Sequence, residues 1–233
     1  MPYFIHDGHK LHYEFCGQDD PEYVPILLLH GNGENMNIFS STVRPLLSSN
    51  CFYLLDSRLH GGSEPLEGAR TELHYEDMAE DAIALMEQLR IREYDVVGFS
   101  DGGIIALIMA MRSKAVRKVI TIGANTSPDG LTLFAKLMMK RERRAAEKRG
   151  DTLAAERQRL MLEEPDITLN DLAKIIAEVT VVLGEKDPFI KRRHSEQIAF
   201  AIPHGSHTLV PGAGHGIPET HPEELAEIIG NVL

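Results

Sequence analysis

Five continuous apolar segments, separated by stretches with helical periodicity, constrain the fold of this chain more than any other feature. Each predicts a β-strand covered on both faces, because a strand with one face in water would alternate apolar and polar residues. Strands that alternate with helices are joined by right-handed crossovers, so the pattern predicts a doubly wound, mostly parallel α/β sheet. The segments lie at 24–31, 51–58, 94–100, 116–124 and 179–187, with a weaker sixth at 206–214.

The N-terminal residues predict an antiparallel hairpin. Asp7 and Gly8 separate two short strand-like segments in YFIHDGHKLHYEF, and Asp-Gly in that position is a strong hairpin signal. The second segment alternates apolar and polar residues, so we expect one of its faces to be in water.

The alternation of strands and helices breaks once, in a stretch rich in Leu, Met, Lys, Arg and Glu that has no strand pattern. We therefore divide the chain into a core formed by 1–126 and 178–233 and an all-helical insertion at 127–177. An apolar stripe at helical spacing in the insertion either covers a pocket or packs within the insertion. The stripe consists of Leu133, Phe134, Leu137 and Met138.

Composition and net charge indicate which kinds of molecule the chain can bind. The chain has 233 residues, of which 43% are hydrophobic and 25% charged, and this suits one large globular domain. Its formal charge of −11 argues against nucleic-acid binding, because phosphates attract basic surfaces. The segment 136–159 has a net charge of the opposite sign, because it contains nine Lys/Arg and four Asp/Glu. A solvated helix face explains such a run, and attraction to anionic ligands or a membrane surface is the alternative.

The sequence predicts neither secretion nor stable membrane insertion. Its first residues lack the basic segment and apolar core of a signal peptide, and no run approaches the roughly 20 apolar residues of a membrane span. The chain has only two cysteines, Cys16 and Cys51, which is too few for a disulfide framework or a cysteine-based metal site. We therefore expect both to be reduced thiols. These features indicate a cytoplasmic protein and leave its oligomeric state open.

The strongest chemical signal is the stretch from Gly98 to Gly102, which reads GFSDG between a predicted strand and a predicted helix. It matches G-x-S-x-G in the context that this motif requires. The sharp turn strains the backbone of Ser100, and it closes only if the neighbours are very small. We interpret Ser100 as a nucleophile at the carboxyl edge of the sheet. The alternative, a serine N-cap of the following helix, would not need glycines on both sides.

A serine nucleophile needs a base, and the base needs an orienting acid. His215 follows the last predicted strand in PGAGHG, and Asp187 ends the preceding strand in LGEKDPF. We predict His215 as the base and Asp187 as the acid, although Asp187 before Pro188 is also a good N-cap. Asp166 and Asp171, in the insertion, are weaker candidates for the orienting acid. His204, His207 and His221 lie near His215 in the sequence and are expected to be structural.

Negative charge that develops on a substrate carbonyl requires fixed N–H donors. One predicted donor is the backbone amide of Asp101, at the start of the helix. The other is the backbone amide of Asn32, in the HGNGEN loop after the first buried strand. His30 in that loop is expected to brace the backbone.

These motifs together make the chain similar to the α/β-hydrolase superfamily from about residue 20 onward. LLLHGNG, LLDSRLHGGS, VVGFSDGG, LGEKDPF and PGAGHG stand in the order and at the spacing usual for that family. The Ser-Asp-Gly-Gly turn followed by IIALIMAM resembles the biphenyl-hydrolase-like branch, which includes amino-acid-ester hydrolases. The resemblance implies an α/β-hydrolase fold with a small helical lid at 127–177. It implies no cofactor and no metal.

We therefore expect a serine hydrolase that cleaves carboxylic esters, amides or thioesters of small molecules through an acyl-enzyme. A cofactor-free haloperoxidase, a C–C bond hydrolase and a catalytically idle binding protein of the same fold are the alternatives. For the Asp101 side chain three roles stay open: pairing with a substrate ammonium, stabilisation by the helix dipole, or holding neighbouring loops. Phe99, Leu133 and Leu137 are expected to contact the substrate.

Overall fold

The computed structural model of the protein describes residues 2–233 and forms one nine-stranded sheet flanked by helices. The strands are β1 (Tyr3–His6), β2 (His9–Gly17), β3 (Ile26–Leu29), β4 (Cys51–Leu55), β5 (Glu64–Pro65), β6 (Tyr94–Phe99), β7 (Val116–Ile122), β8 (Glu178–Gly184) and β9 (Gly205–Val210). The helices are α1 (Ser40–Val43), α2 (Tyr75–Gln88), α3 (Asp101–Arg112), α4 (Leu133–Arg149), α5 (Thr152–Glu163), α6 (Leu169–Leu172), α7 (Arg192–Ala201), α8 (Ile217–Thr220) and α9 (Pro222–Val232). Short 3-10 turns lie at Met36–Phe39, Arg44–Leu46 and Pro128–Gly130.

The order of the strands confirms the predicted α/β fold. The sheet runs β1-β2-β4-β3-β6-β7-β8-β9, and β5 pairs with β2 beside this path. All pairs from β4 to β9 are parallel, whereas β2 is antiparallel to both β1 and β4. The predicted hairpin turn is present at Asp7 and Gly8, which both have positive φ. The carboxyl ends of β3, β6, β7 and β8 therefore meet at one edge of the sheet.

The apolar strands are covered on both faces, as their composition predicts. Along β3, Leu27 and Leu29 belong to a core that includes α2 and α3. Ile26 and Leu28 belong to a second core that includes α9. Because successive side chains of a strand point to opposite faces, a strand between two helical layers must be apolar throughout.

The segment 127–177 contains α4, α5 and α6. Thr132 caps the start of α4 by accepting a hydrogen bond from the Ala135 amide, and Gly150 ends it in the left-handed conformation. Asp151 then caps the start of α5. These caps produce a tight helical hairpin, which packs over the carboxyl edge of the sheet through the buried side chains of Ala135 and Met139 on α4.

Among residues 2–233, the helices are all too short or too polar to cross a membrane.

Candidate active site

Ser100 lies in a strained turn between β6 and α3. Its backbone angles are φ 53° and ψ −114°, a region that side-chain-bearing residues rarely adopt and that is common at functional sites. Two hydrogen bonds hold the turn: the Ser100 amide donates to the Ile122 carbonyl over 2.7 Å, and the Gly103 amide donates to the Ser100 carbonyl over 2.9 Å. The hydroxyl of Ser100 makes no capping bond to α3, so it is free for another role.

The glycines beside Ser100 are required by close backbone contacts. A Cβ on Gly98 would collide with the Gly102 carbonyl, and a Cβ on Gly102 would collide with the Leu29 carbonyl at the end of β3. A Cβ on Gly103 would come within 2.6 Å of the Thr121 hydroxyl oxygen. The turn packs so tightly against the sheet that no side chain fits at these positions.

The structure brings Ser100, His215 and Asp187 into one hydrogen-bonded chain. His215 Nε2 lies 3.1 Å from Ser100 Oγ, and His215 Nδ1 lies 2.8 Å from Asp187 Oδ2. A proton on Nδ1, held by the carboxylate, leaves Nε2 free to accept the proton of the serine hydroxyl. Gly123, with a φ of 61°, lets the backbone after β7 approach the imidazole, because a Cβ there would lie 2.9 Å from His215 Cε1.

Asp187 has a second role in the turn that follows β8. While Oδ2 faces His215, Oδ1 accepts hydrogen bonds from the amides of Phe189 (2.7 Å) and Ile190 (3.0 Å). Three bonds therefore fix the orientation of this buried carboxylate. Of the rival acids, Asp171 forms a capping box with Thr168 at the start of α6. Asp166 is exposed, and neither acid contacts a histidine among the described residues.

The backbone amide of Asn32 lies in the loop after β3 and that of Asp101 at the start of α3, and within residues 2–233 neither donates a hydrogen bond. The Asn32 side chain donates to Asp101 Oδ2 over 2.7 Å. His30 braces the same loop: Nδ1 donates to the Gly31 carbonyl over 2.7 Å, and Nε2 accepts from the Ser57 amide over 3.1 Å. Burial lowers the pKa of His30, which favours the neutral ring that this pair of bonds requires.

The carboxyl of Asp101 is only 5% exposed. Burial raises its pKa to about 6, although the hydrogen bond from Asn32 and the nearby Tyr75 hydroxyl act in the opposite direction. The side chain of Asp101 thus already has a donor inside the protein.

A cavity of about 720 Å³ opens above the hydroxyl of Ser100. Its base contains Ser100, His215 and Phe99, and the Phe99 ring lies 5.2 Å from the imidazole. Apolar side chains from the helical insertion and the loop after β8 form much of the remaining wall. They are Leu131, Phe134, Met138, Met139, Met161, Phe189 and Ile190.

Two residues expected to bind substrate do not line this cavity. Leu133 and Leu137 lie on the outer side of α4, and they are 72% and 59% exposed. Phe134 and Met138, one position further along the helix, are the neighbours that reach the wall. The rotation of α4 about its own axis decides which of these side chains face the cavity. The packing of Ala135 and Met139 with Leu131 and Ile190 sets that rotation.

Sequence reasoning missed Glu34, which lines the cavity near His215. Its Oε2 accepts a hydrogen bond from the Gly31 amide over 3.1 Å. Burial raises the pKa of Glu34 to about 7, and the charges of Glu219 and Asp101 act in the same direction. An acid two positions after the predicted oxyanion donor was the signal available in the sequence.

The part of the chain that the structure describes contains no cluster of three or more His, Cys, Asp or Glu suited to a metal ion. The three histidines of the N-terminal hairpin each contact groups other than one another. His6 contacts Asp81, His9 contacts two backbone carbonyls, and His12 contacts Asp56.

Comparisons with known proteins agree with the fold. The model of the alpha/beta hydrolase family matches residues 26–228. The human protein named Serine hydrolase BPHL is 26% identical over 97% of this chain and 84% of its own length. A putative esterase/lipase from Haemophilus influenzae is 23% identical over 96% of this chain and 88% of its own length.

A solved structure from a study of Nitrososphaera gargenis carboxylesterases superposes with a TM-score of 0.81 at 20% identity, covering 99% of this chain and 97% of that one. The family match over residues 26–228 confirms the resemblance to α/β hydrolases, and the human relative shows similarity to the biphenyl-hydrolase-like branch at 26% identity.

Proposed function

Because this chain belongs to the α/β-hydrolase family and is a hydrolase, we propose that it cleaves carboxylic esters of small molecules through an acyl-enzyme on Ser100. The single observation that carries the proposal is the bonded chain from Ser100 Oγ through His215 to Asp187, with contacts of 3.1 and 2.8 Å. A strained serine aligned with a base and an acid is the arrangement that nucleophilic catalysis requires.

The first half-reaction forms the acyl-enzyme. Ser100 Oγ attacks the ester carbonyl while His215 Nε2 takes its proton, and Asp187 stabilises the resulting imidazolium. The amides of Asn32 and Asp101 donate to the oxygen that becomes negative. As the carbonyl re-forms, the C–O bond to the alcohol breaks, and His215 returns the proton to the leaving oxygen.

The second half-reaction releases the acid. Water attacks the acyl carbonyl, and His215 takes one of its protons. The same two amides hold the second oxyanion. Its collapse breaks the bond to Ser100 Oγ, which recovers its proton from His215, and the free enzyme is restored.

The cavity supports substrates with apolar groups. Its volume of about 720 Å³ falls in the range of small-molecule sites, and such sites are mainly apolar with a few directed polar groups. The names of two relatives, a serine hydrolase and a putative esterase/lipase, support the same chemistry.

We assign the side chain of Asp101 to holding the Asn32 loop. Asp101 is almost fully buried, and its Oδ2 accepts the bond from Asn32. The residue also lines the cavity, so a substrate ammonium is the alternative partner of its second oxygen, and kinetics on esters with and without an α-amino group distinguish the two roles.

The test of the proposed function is covalent labelling with a fluorophosphonate probe, followed by turnover of p-nitrophenyl acetate and butyrate. Labelling should occur at Ser100 and disappear in Ser100→Ala, and His215→Ala should suppress both labelling and turnover. Ser113→Ala, at the far end of α3, is the matched control and should behave as the wild type. Turnover that survives Ser100→Ala would refute the acyl-enzyme route. Peroxide-dependent halogenation or cleavage of a C–C bond without esterase activity would favour the alternative chemistries.

A further inference from the structure

Helix α4 exposes four large apolar side chains in its first two turns. Leu133, Phe134, Leu137 and Met138 are 72%, 54%, 59% and 45% exposed. The helix packs through Ala135, Met139 and Ala146. Leu133 and Leu137 lie on the outer side, whereas Phe134 and Met138 lie between the two sides, at the edge of the cavity. Contiguous exposed apolar side chains of this size mark an interaction site more often than an ordinary surface.

The same outer stripe of α4 becomes cationic in the following turns. Lys140, Arg144 and Lys148 continue the spacing of three or four residues that begins at Leu133 and Leu137, and Arg141 lies beside them. None of these four cations forms an ion pair within residues 2–233. The other cations of the helix do form pairs: Lys136 with Asp129, Arg143 with Glu147 and Glu163, and Arg149 with Glu142. We call these four apolar side chains and four cations together the lid face.

The lid face is continuous with the entrance to the catalytic cavity. Phe134, Met138 and Arg141 belong to both. Beside it, a groove of about 490 Å³ lies between α4 and α5. It is lined by the cations Lys136, Lys140, Arg143 and Arg144 and by Glu147, Leu162 and Glu163. Arg143 is paired with both of these acids and Lys136 with Asp129, so Lys140 and Arg144 are the cations of the groove that are available to a phosphate group. They lie beside apolar side chains that suit acyl chains.

We propose that the lid face docks the protein on the surface of anionic lipid. Leu133 and Leu137 enter the boundary between headgroups and acyl chains, and Phe134 and Met138 border it at the cavity entrance, while Lys140, Arg144 and their neighbours meet lipid phosphates. Segments that bind at a lipid surface combine exposed apolar side chains with neighbouring Lys and Arg, and the lid face presents both. The attraction is local, since the chain as a whole carries a charge of −11 and would be repelled by an anionic surface in any other orientation.

Docking would give the cavity direct access to esters dissolved in the lipid. This consequence rests on the proposed function, whereas the docking does not, and a binding measurement therefore tests it independently of any activity.

The experiment is co-sedimentation of the full chain with vesicles of phosphatidylglycerol and phosphatidylcholine, and with vesicles of phosphatidylcholine alone. We expect binding to the anionic vesicles that weakens as salt is added. The double variant Lys140→Gln/Arg144→Gln should bind about 25-fold less tightly, on the basis of about fivefold per cation near an anionic surface. Leu133→Ser/Leu137→Ser should reduce binding by a similar or larger factor.

Matched double variants on other exposed surfaces serve as controls. Lys114→Gln/Arg193→Gln removes two cations that have no ion-pair partner in the described chain, and Ile176→Ser/Phe200→Ser removes two exposed apolar side chains. Both should bind as the wild type does. Hydrolysis of p-nitrophenyl acetate should be unchanged in Lys140→Gln/Arg144→Gln, which excludes misfolding as the cause of weaker binding.

Three results would overturn the proposal. The first is no binding to anionic vesicles. The second is equal binding by the lid-face and control variants, or equal binding to neutral vesicles. The third is concentration-dependent self-association, measured by sedimentation velocity, that Leu133→Ser/Leu137→Ser abolishes in the absence of lipid, because the lid face would then bind a second copy of the chain.

Discussion

The side-chain amide of Asn32 donates a 2.7 Å hydrogen bond to the carboxylate of Asp101, and so connects the two residues whose backbone amides we assign to the oxyanion. One donor lies in the loop after β3 and the other begins α3. Without a link, their separation would depend on two independent loops. The bond sets that separation before substrate arrives, which is the condition for electrostatic stabilisation of a transition state.

Replacing Asp101 by Ala should therefore lower kcat for simple esters about 10- to 100-fold, with little change in KM. Complete loss of an oxyanion donor costs about 10² to 10³ in rate, and a misplaced donor should cost less. Asp101→Asn keeps an oxygen that accepts from Asn32 and should retain most of the activity. Steady-state kinetics on matched esters with and without an α-amino group provide the measurement. A loss confined to the amino esters would show that Asp101 binds the substrate ammonium instead.

Asp187→Asn should separate the two roles of this residue. The amide oxygen can still accept from Phe189 and Ile190, so the stability of the fold should change little. The amide cannot stabilise an imidazolium and favours the wrong tautomer of His215, so kcat should fall about 10⁴-fold. Asp187→Ala should lose stability as well, because two buried amides lose their acceptor. Thermal unfolding and ester kinetics on both variants measure the two effects, and equal stability of the two variants would contradict the structural role.

Gly102→Ala should destabilise the protein by about 3 kcal/mol, because the added methyl group collides with backbone atoms that cannot move aside. Gly230→Ala is the matched control. It lies inside α9, and its added methyl group would meet only Leu46 at 3.6 Å. Alanine has the better helix propensity, so this variant should gain up to about 1 kcal/mol. Urea unfolding followed by circular dichroism gives both values, and a Gly102→Ala protein as stable as the wild type would refute the packing of this turn.

Glu34 should make the protein less stable as the pH rises through neutrality. The pKa of Glu34 is about 7 in the folded protein, above the value of a carboxyl in the unfolded chain. Its contribution to stability is therefore fully present below about pH 4.5 and is lost by about pH 8. Each pKa unit corresponds to about 1.36 kcal/mol, so the loss is at most about 3 kcal/mol.

Glu34→Gln should remove this part of the pH dependence. The difference in unfolding free energy between wild type and variant, measured in urea near pH 5 and near pH 8, should shift in favour of the variant at the higher pH. Glu219→Gln removes a charge that raises the pKa of Glu34 and should reduce the dependence without abolishing it. A difference that is constant with pH would show that Glu34 ionises normally.

The sheet and the positions of Ser100, His215 and Asp187 were predictable because they depend on local patterns. Apolar runs reveal strands with two covered faces, and each of these three residues follows the end of such a strand. Parallel topology then brings all strand ends to one edge. No long-range information beyond the fold class was needed to expect a common site.

The parts that could not be predicted depend on contacts between distant segments. Asp101 had three open roles, and its partner Asn32 lies 69 positions earlier in the chain. Leu133 was expected at the cavity, but Phe134 is the residue that lines it. Both belong to the same apolar stripe, and only the packing of α4 on the rest of the protein selects between them. Glu34 acquires its raised pKa from burial and from Glu219, neither of which is visible in the loop sequence.

The packing of α4 leads to a prediction about substrate selection. Phe134 lines the cavity and packs edge-on against Phe189 at 6.1 Å between ring centres, and the Phe189 ring lies 5.1 Å from that of His215. Phe134→Ala should lower kcat/KM for p-nitrophenyl butyrate about 3- to 10-fold, since each methylene group that loses its apolar wall costs about 0.8 kcal/mol, or about fourfold. The loss should shrink for longer acyl chains, which can fill the space left by the ring. Leu133→Ala, one position earlier but outside the cavity, should leave the chain-length profile in detergent-free solution unchanged. A profile that shifts with Leu133 and not with Phe134 would mean that α4 is rotated relative to this arrangement when substrate binds.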